Sequence, residues 1–273
     1  MSAAALVLAL GAAGLHAFWN LLLARTPDTE AASAVMLIVA LVAYAPVAAL
    51  TWRFDPTVIP YLAVTACLQL AYITLLAAAY GRAELSVVYP ISRGTAPVLV
   101  LAVGVAALGV GTSARQAAGV CLVGVGVLLV RGLRRTADRA GVVFGLVIAC
   151  TIAGYTLVDK YGIRYAAPFV YLELSMLLPG IAYSSWVAAR RGPQVVARAV
   201  GIPTVLAGLA TFGAYGLVLA ALARAPAAAV AAVRETSIVI AAAGAALFLR
   251  EPVGPERLAG AVLVASGVAL VSL

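Results

Sequence analysis

Residues 93–130 read RGTAPVLVLAVGVAALGVGTSARQAAGVCLVGVGVLLV, and residues 234–271 read RETSIVIAAAGAALFLREPVGPERLAGAVLVASGVALV. Superimposed without gaps at an offset of 141 residues, Arg93 falls on Arg234, Thr95 on Thr236, Leu108 on Leu249, Gly119 on Gly260, Leu122 on Leu263 and Gly126 on Gly267. Alanine and valine coincide by chance in a chain this apolar, whereas an arginine inside an apolar run does not. A fixed offset of this kind marks an internal repeat. Its unit ends with an arginine-bearing span followed by one whose glycines lie seven residues apart.

The composition says where such spans live. The chain has 273 residues, of which 65% are hydrophobic and 10% charged, with a mean hydropathy of +1.11. Soluble domains carry roughly a quarter charged residues, so the chain belongs in a bilayer. Apolar stretches run over about 3–24, 31–52, 60–80, 86–108, 116–130, 141–160, 168–188, 203–223, 227–249 and 257–272. They are apolar on both parities, unlike the alternating strands of a membrane barrel, so they predict helices. Ten spans of about 20 residues use most of the chain and leave no soluble domain. The opening stretch continues past Trp19 without a basic n-region and is read as the first span, not a signal peptide.

The predicted fold is therefore an all-α membrane protein: ten transmembrane helices as two inverted five-helix repeats, 1–135 and 136–273, joined near Arg131–Arg135. Five is odd, so the second repeat enters from the opposite side. Many secondary transporters are built this way, with the substrate site at midplane between the halves. Cys67, Cys121 and Cys150 lie in apolar runs and read as small core residues. The net charge of +8 comes from arginines between spans, which excludes a nucleic-acid partner. Eleven basic residues in the connections on one side, against five on the other (Arg53, Arg115, Lys160, Arg164 and Arg224), place the termini outside the cytoplasm.

Polar residues inside spans are costly and therefore informative. His16, Trp19 and Asn20 share a face of the first span; Gln69, Tyr72 and Tyr80 line the third; Ser86, Tyr89, Arg93 and Pro97 line the fourth, which Pro90 and Pro97 should kink. Thr151, Tyr155 and Asp159 line the sixth, Thr211 and Tyr215 the eighth, and Arg234, Glu235 and Thr236 the ninth. Spans 1, 3, 4, 6, 8 and 9 thus predict a central pocket. Its substrate-binding candidates are His16, Trp19, Asn20, Tyr72, Tyr89, Arg93, Tyr155, Tyr215, Arg234 and Glu235. Two readings stand for the arginines: a structural ion pair, such as Arg93 with Glu235, or contact with substrate; a pair broken by binding would be a gate. Glu235, Glu173 and Asp159 are coupling or gating candidates, with Asp159-Lys160 alternatively an interfacial pair and His16 alternatively a packing residue. Tyr61 and Tyr183 read as interfacial belts. Spans 5 and 10, with Gly119/Gly126 and Gly260/Gly267, read as packing helices.

The stretch VYPISRGTAPVLVLAVGVAAL with QAAGVCLVGVGVLLV, together with 232–271, resembles the fourth and fifth helices of an EamA module of the drug/metabolite transporter superfamily. GLHAFWNLLLAR and GYTLVDKYG resemble the openings of two such modules, so the likeness covers the chain. It implies a ten-helix carrier of small metabolites working by alternating access, often an exporter, with both termini in the cytoplasm. One departure is visible: the module's Gly-Glu pair survives only as Arg250-Glu251, while the first half has Gly109-Val110-Gly111. That implies a first-half turn without a capping carboxylate.

The function expected is a secondary active transporter, exporter or exchanger, of small polar or amphipathic metabolites. Its partners are the small-molecule substrate, the lipid bilayer and a coupling proton, with the chain a monomer or homodimer. The sequence calls for no cofactor and no metal. The alternative class is a non-transporting scaffold or receptor whose glycine spans mediate oligomerisation. A membrane enzyme is disfavoured by a single histidine and no G-x-S-x-G or H-E-x-x-H motif. A channel would not gather two arginines and five aromatics in its middle. Seventeen arginines to one lysine suggest a GC-rich bacterial gene, hence the bacterial inner membrane.

Overall fold

The computed structural model describes residues 1–23, 26–80, 82–83, 85–131, 139–249 and 254–273. The side chains of Tyr80 and Ser86, the join over 132–135 and the Arg250-Glu251 pair lie outside the described residues. The described chain is helical: α1 (Ala3–Leu23), α2 (Thr29–Leu50), α3 (Ile59–Tyr80), α4 (Leu85–Ala106), α5 (Ala114–Arg131), α6 (Arg139–Gly162), α7 (Pro168–Arg191), a short α8 (Pro193–Arg198), α9 (Ile202–Leu222), α10 (Ala227–Arg234), α11 (Thr236–Leu249) and α12 (Pro255–Ser272).

Local chemistry sets these boundaries. Asp28 caps α2, its carboxylate accepting from the Ala31 N–H at 3.1 Å. Gly192, at φ 89°, ends α7, and Pro193 opens α8. The first-half turn is not left uncapped. Ser113 Oγ accepts from the Gln116 N–H at 3.2 Å while Gln116 Oε1 accepts from the Ser113 N–H at 3.4 Å, a reciprocal pair that replaces the expected carboxylate. α4 runs through Pro90 and Pro97 as one helix. The ninth stretch, expected to be continuous, instead divides at Glu235. There the Thr236 hydroxyl takes the Val233 carbonyl at 2.8 Å, and the Glu235 N–H bonds Ala232 in a tighter turn.

Among the described residues, seven helices are long and apolar enough to cross a membrane. They are α1, α2, α3 with the turn before it, α4, α6, α9 and α12. The other three apolar stretches fall short for identifiable reasons: α5 is brief, α7 carries Glu173 and a terminal Arg190-Arg191, and the ninth stretch divides.

The packing is reciprocal. α1 lies on α9 as α6 lies on α3; α4 lies on α6 as α10 and α11 lie on α1; α2 pairs with α7, and α5 with α12. On the side of the termini, the Met1 amino group reaches the Ser272 carbonyl, and the loops after α2 and α6 clasp each other. Arg53 donates to the carbonyls of Arg164 at 3.2 Å and Ala166 at 2.9 Å, beside an isolated antiparallel bridge between Phe54 and Ala166. On the opposite side, Arg190 meets Glu30 and Arg191 meets Asp28, each at 2.5 Å.

The α5–α12 seam is built on glycine. A Cβ at Gly119 would stand 2.7 Å from the Gly267 carbonyl oxygen, and one at Gly126 would stand 2.7 Å from that of Gly260. These glycine faces are therefore consumed within the chain. That removes the feature on which an oligomeric scaffold rested. The cysteines correct another expectation: Cys67, Cys121 and Cys150 are free and exposed, on the sides of their helices that face away from the core.

Candidate functional site

A cavity of about 490 Å³ runs into the bundle between the halves. Its rim is formed by Pro27, Asp28, Glu30 and Arg191, on the side away from the termini, and its interior reaches Arg93, Tyr155, Tyr215 and Arg234. Nine of the ten substrate-binding candidates, all but Glu235, line this space: His16, Trp19, Asn20, Tyr72, Tyr89, Arg93, Tyr155, Tyr215 and Arg234.

Two arginines, one from each repeat-related position, converge on one carboxylate. Arg93 Nη1 and Arg234 Nη2 each lie 3.5 Å from Glu235 Oε1. All three are buried, and Glu235 has no exposed surface. The correction to the sequence reading is that Glu235 does not line the cavity. It stands behind the arginines as their shared counter-charge, at the break between α10 and α11. In so dry a place the attraction is strong but so is the desolvation it must offset.

Above them, Arg93 contacts His16 Nε2, and its guanidinium lies over the Tyr89 ring at 5.6 Å. Trp19 Nε1 donates to His16 Nδ1 at 3.3 Å, and the Asn20 amide donates to the His16 carbonyl at 2.7 Å. The i, i+3, i+4 spacing of the three α1 residues produces both contacts. Tyr72, Tyr155 and Tyr215 form a run of edge-to-face rings with centroids 6.2 and 6.1 Å apart.

Below the cavity lies a polar layer. The Tyr215 hydroxyl donates to Asp159 Oδ2 at 2.5 Å and accepts from Gln69 Nε2 at 3.1 Å. Thr65 and Tyr171 hydroxyls donate to Asp159 Oδ1 at 2.7 and 2.9 Å. Asp159 is fully buried and is not part of the lining. Its expected pairing with Lys160 does not form, because neighbouring residues on a helix point apart; Lys160 instead donates to the carbonyls of Leu222 at 2.6 Å and Ala225 at 2.9 Å. Glu173 lies outside the cavity, half-buried, with Oε1 lacking a hydrogen-bond partner among the described residues. Tyr183, expected in a surface belt, is buried and lines the cavity.

The lining also draws on α2 and α7, through residues such as Ser33, Met36, Leu172 and Met176. Sequence reasoning assigned the pocket to six other helices, because an apolar wall residue looks the same as a lipid-facing one. Thr65 and Tyr171 were missed as well. Thr65 carried a signal, since it precedes Gln69 by one helical turn on the same stripe.

No curated protein sequence matches the chain. Among 28 similar solved chains, one described as "Crystal structure of protein" superimposes with a TM-score of 0.78, covering 100% of this chain and 99% of its own at 12% identity. At that identity the likeness is one of fold. Residues 139–273 match the EamA-like transporter family. The apolar helices agree with a multi-pass membrane protein of that kind. The second half of the chain, residues 139–273, therefore belongs with the EamA-like transporters of the drug/metabolite transporter superfamily.

Proposed function

We propose that the protein is a secondary active transporter, an exporter or exchanger of small polar or amphipathic metabolites, working by alternating access across a bacterial inner membrane. In this reading ten helices span the bilayer as two inverted repeats, 1–135 and 136–273, a coupling proton accompanies the solute, and the chain acts as a monomer or homodimer. The observation that carries it is a cavity with a rim on one side of the bundle and a floor of buried polar bonds before the other. Such a half-channel is what a carrier holds between turnovers. The reciprocal packing of α1 on α9 and α6 on α3 supports the inverted repeat, since exchanging equivalent pairs would open the other side.

Glu173 and Asp159 are the groups we assign to coupling. Asp159 sits one hydroxyl from the cavity through Tyr215. The test is flux in proteoliposomes with Arg93→Gln and Glu235→Gln beside the wild type. Both variants are expected to fold and to lose transport. Wild-type flux in both would remove these residues from the site.

A further inference from the structure

The polar atoms of the cavity are unbalanced, and the imbalance bears on what it holds. Arg93 and Arg234 place two fixed positive charges beside the single buried carboxylate of Glu235. Neither oxygen of that carboxylate accepts a hydrogen bond, and Nε and Nη2 of Arg234, the latter 3.5 Å from Glu235 Oε1, make no hydrogen bond among the described residues. Buried donors left in this state are costly unless something supplies the acceptor.

His16 adds to the excess. Its Nδ1 faces the Trp19 N–H and its Nε2 faces the Arg93 guanidinium, both of which only donate. A neutral imidazole can accept at one nitrogen and must donate at the other. One of these two contacts therefore sets donor against donor. The remaining carboxylate of the region, Asp159, cannot relieve it: its oxygens are engaged by the hydroxyls of Thr65, Tyr171 and Tyr215 below the floor. Asp28 and Glu30 are tied to Arg190 and Arg191 at the rim.

From this geometry we infer that the solute is an organic carboxylate. Its carboxylate lies against the two arginines that line the cavity, Arg93 and Arg234, with His16 beside them, and its apolar body lies along Trp19, Tyr72 and Tyr155. A planar fork meeting a carboxylate in two parallel hydrogen bonds is the match arginine makes best. The aromatic wall favours an organic anion over an inorganic one, and a volume of about 490 Å³ suits a single small molecule. The inference rests on the carrier reading given above and narrows its substrate class.

The experiment uses the full-length protein in detergent and in proteoliposomes. Melting shifts and flux are recorded for aliphatic and aromatic carboxylates, each beside its primary amide and its amine, with inorganic phosphate as the simple anion. One such set is phenylacetate, phenylacetamide and phenethylamine. At least one carboxylate is expected to bind about 10- to 100-fold tighter than its amide, and to lose that preference in Arg234→Gln. Where that variant does not fold, Arg234→Lys keeps the charge beside Glu235 without the fork and is expected to bind about tenfold more weakly. Amides or amines bound as tightly as carboxylates, phosphate bound in their place, an Arg234→Lys protein of unchanged affinity, or silence from every carboxylate would each overturn the class. Flux of an amine or amide alone would do so while leaving the carrier reading intact. No flux of any panel member would remove the carrier reading, and with no carboxylate-selective melting shift beside it the class would fall too.

Discussion

Asp159 accepts three hydroxyl hydrogen bonds in a place with no exposed surface. Asp159→Ala therefore removes the acceptor shared by the hydroxyls of Thr65, Tyr171 and Tyr215, leaving them only the Thr65–Tyr171 and Gln69–Tyr215 contacts, at a cost of about 3 kcal/mol. Tyr215→Phe removes one donor to Asp159 and the acceptor of the Gln69 amide but leaves the ring and the other two bonds to Asp159, so it should cost less, about 1–2 kcal/mol. Thermal unfolding in detergent checks the order, and equal losses would show the layer is not the shared network described. A second residue, Asp28, works at the rim. The Ala31 N–H that it caps, and then Arg191, hold its carboxyl below the usual carboxylate range. A lowered folded-state value means that its contribution is present above the unfolded pKa and is lost as pH falls through the folded one. Asp28→Ala should cost about 1 kcal/mol near neutral pH, and the gap to wild type should close in acid. A gap that persists there would assign the loss to something other than the carboxylate.

Among the helices, the glycine seam makes the sharpest claim. Gly126 and Gly260 bring α5 and α12 so close that a Cβ on either would stand within 2.7 Å of a backbone oxygen. Backbone cannot move aside as a side chain can, so Gly126→Ala should destabilise by about 1–3 kcal/mol and Gly126→Leu by more. The seam contributes nothing to the cavity lining, so the folded fraction of Gly126→Ala should bind ligand with unchanged affinity. Altered affinity would mean the seam shapes the site. These helices also show what was legible in advance. Glycines seven residues apart in two aligned spans announced a packing face, and Arg93 aligned with Arg234 announced the polar centre. The roles of α2 and α7 were not legible, because Met36 and Leu172 are as apolar as residues that face lipid. Nor was the break at Glu235, which a hydroxyl and a carbonyl decide locally within an apolar run. That Glu235 lies behind the arginines, and Asp159 below Tyr215, depends on helix rotation, which spacing along one helix does not set.

For the molecule as a whole, the two sides differ. Toward the termini the path ends in the Asp159 layer, the stacked rings of Tyr61 and Tyr165 and the Arg53 clasp; away from them the cavity begins at its rim. In the proposed cycle these roles exchange. With Cys67, Cys121 and Cys150 replaced, Ser33→Cys on the cavity wall should react with a hydrophilic thiol reagent and be protected by bound solute. Thr65→Cys should react only during turnover, and from the side of the termini. Steady reactivity at Thr65→Cys without solute would mean that side is open already. The central claim is that one cavity serves the two sides in turn. Counterflow tests it most directly: proteoliposomes are loaded with the tightest-binding solute unlabelled, and a trace of label is added outside. The account predicts a transient accumulation of label above equilibrium, absent in Arg93→Gln, because a carrier returns occupied. A monotonic approach to equilibrium at high rate would describe a channel and contradict it.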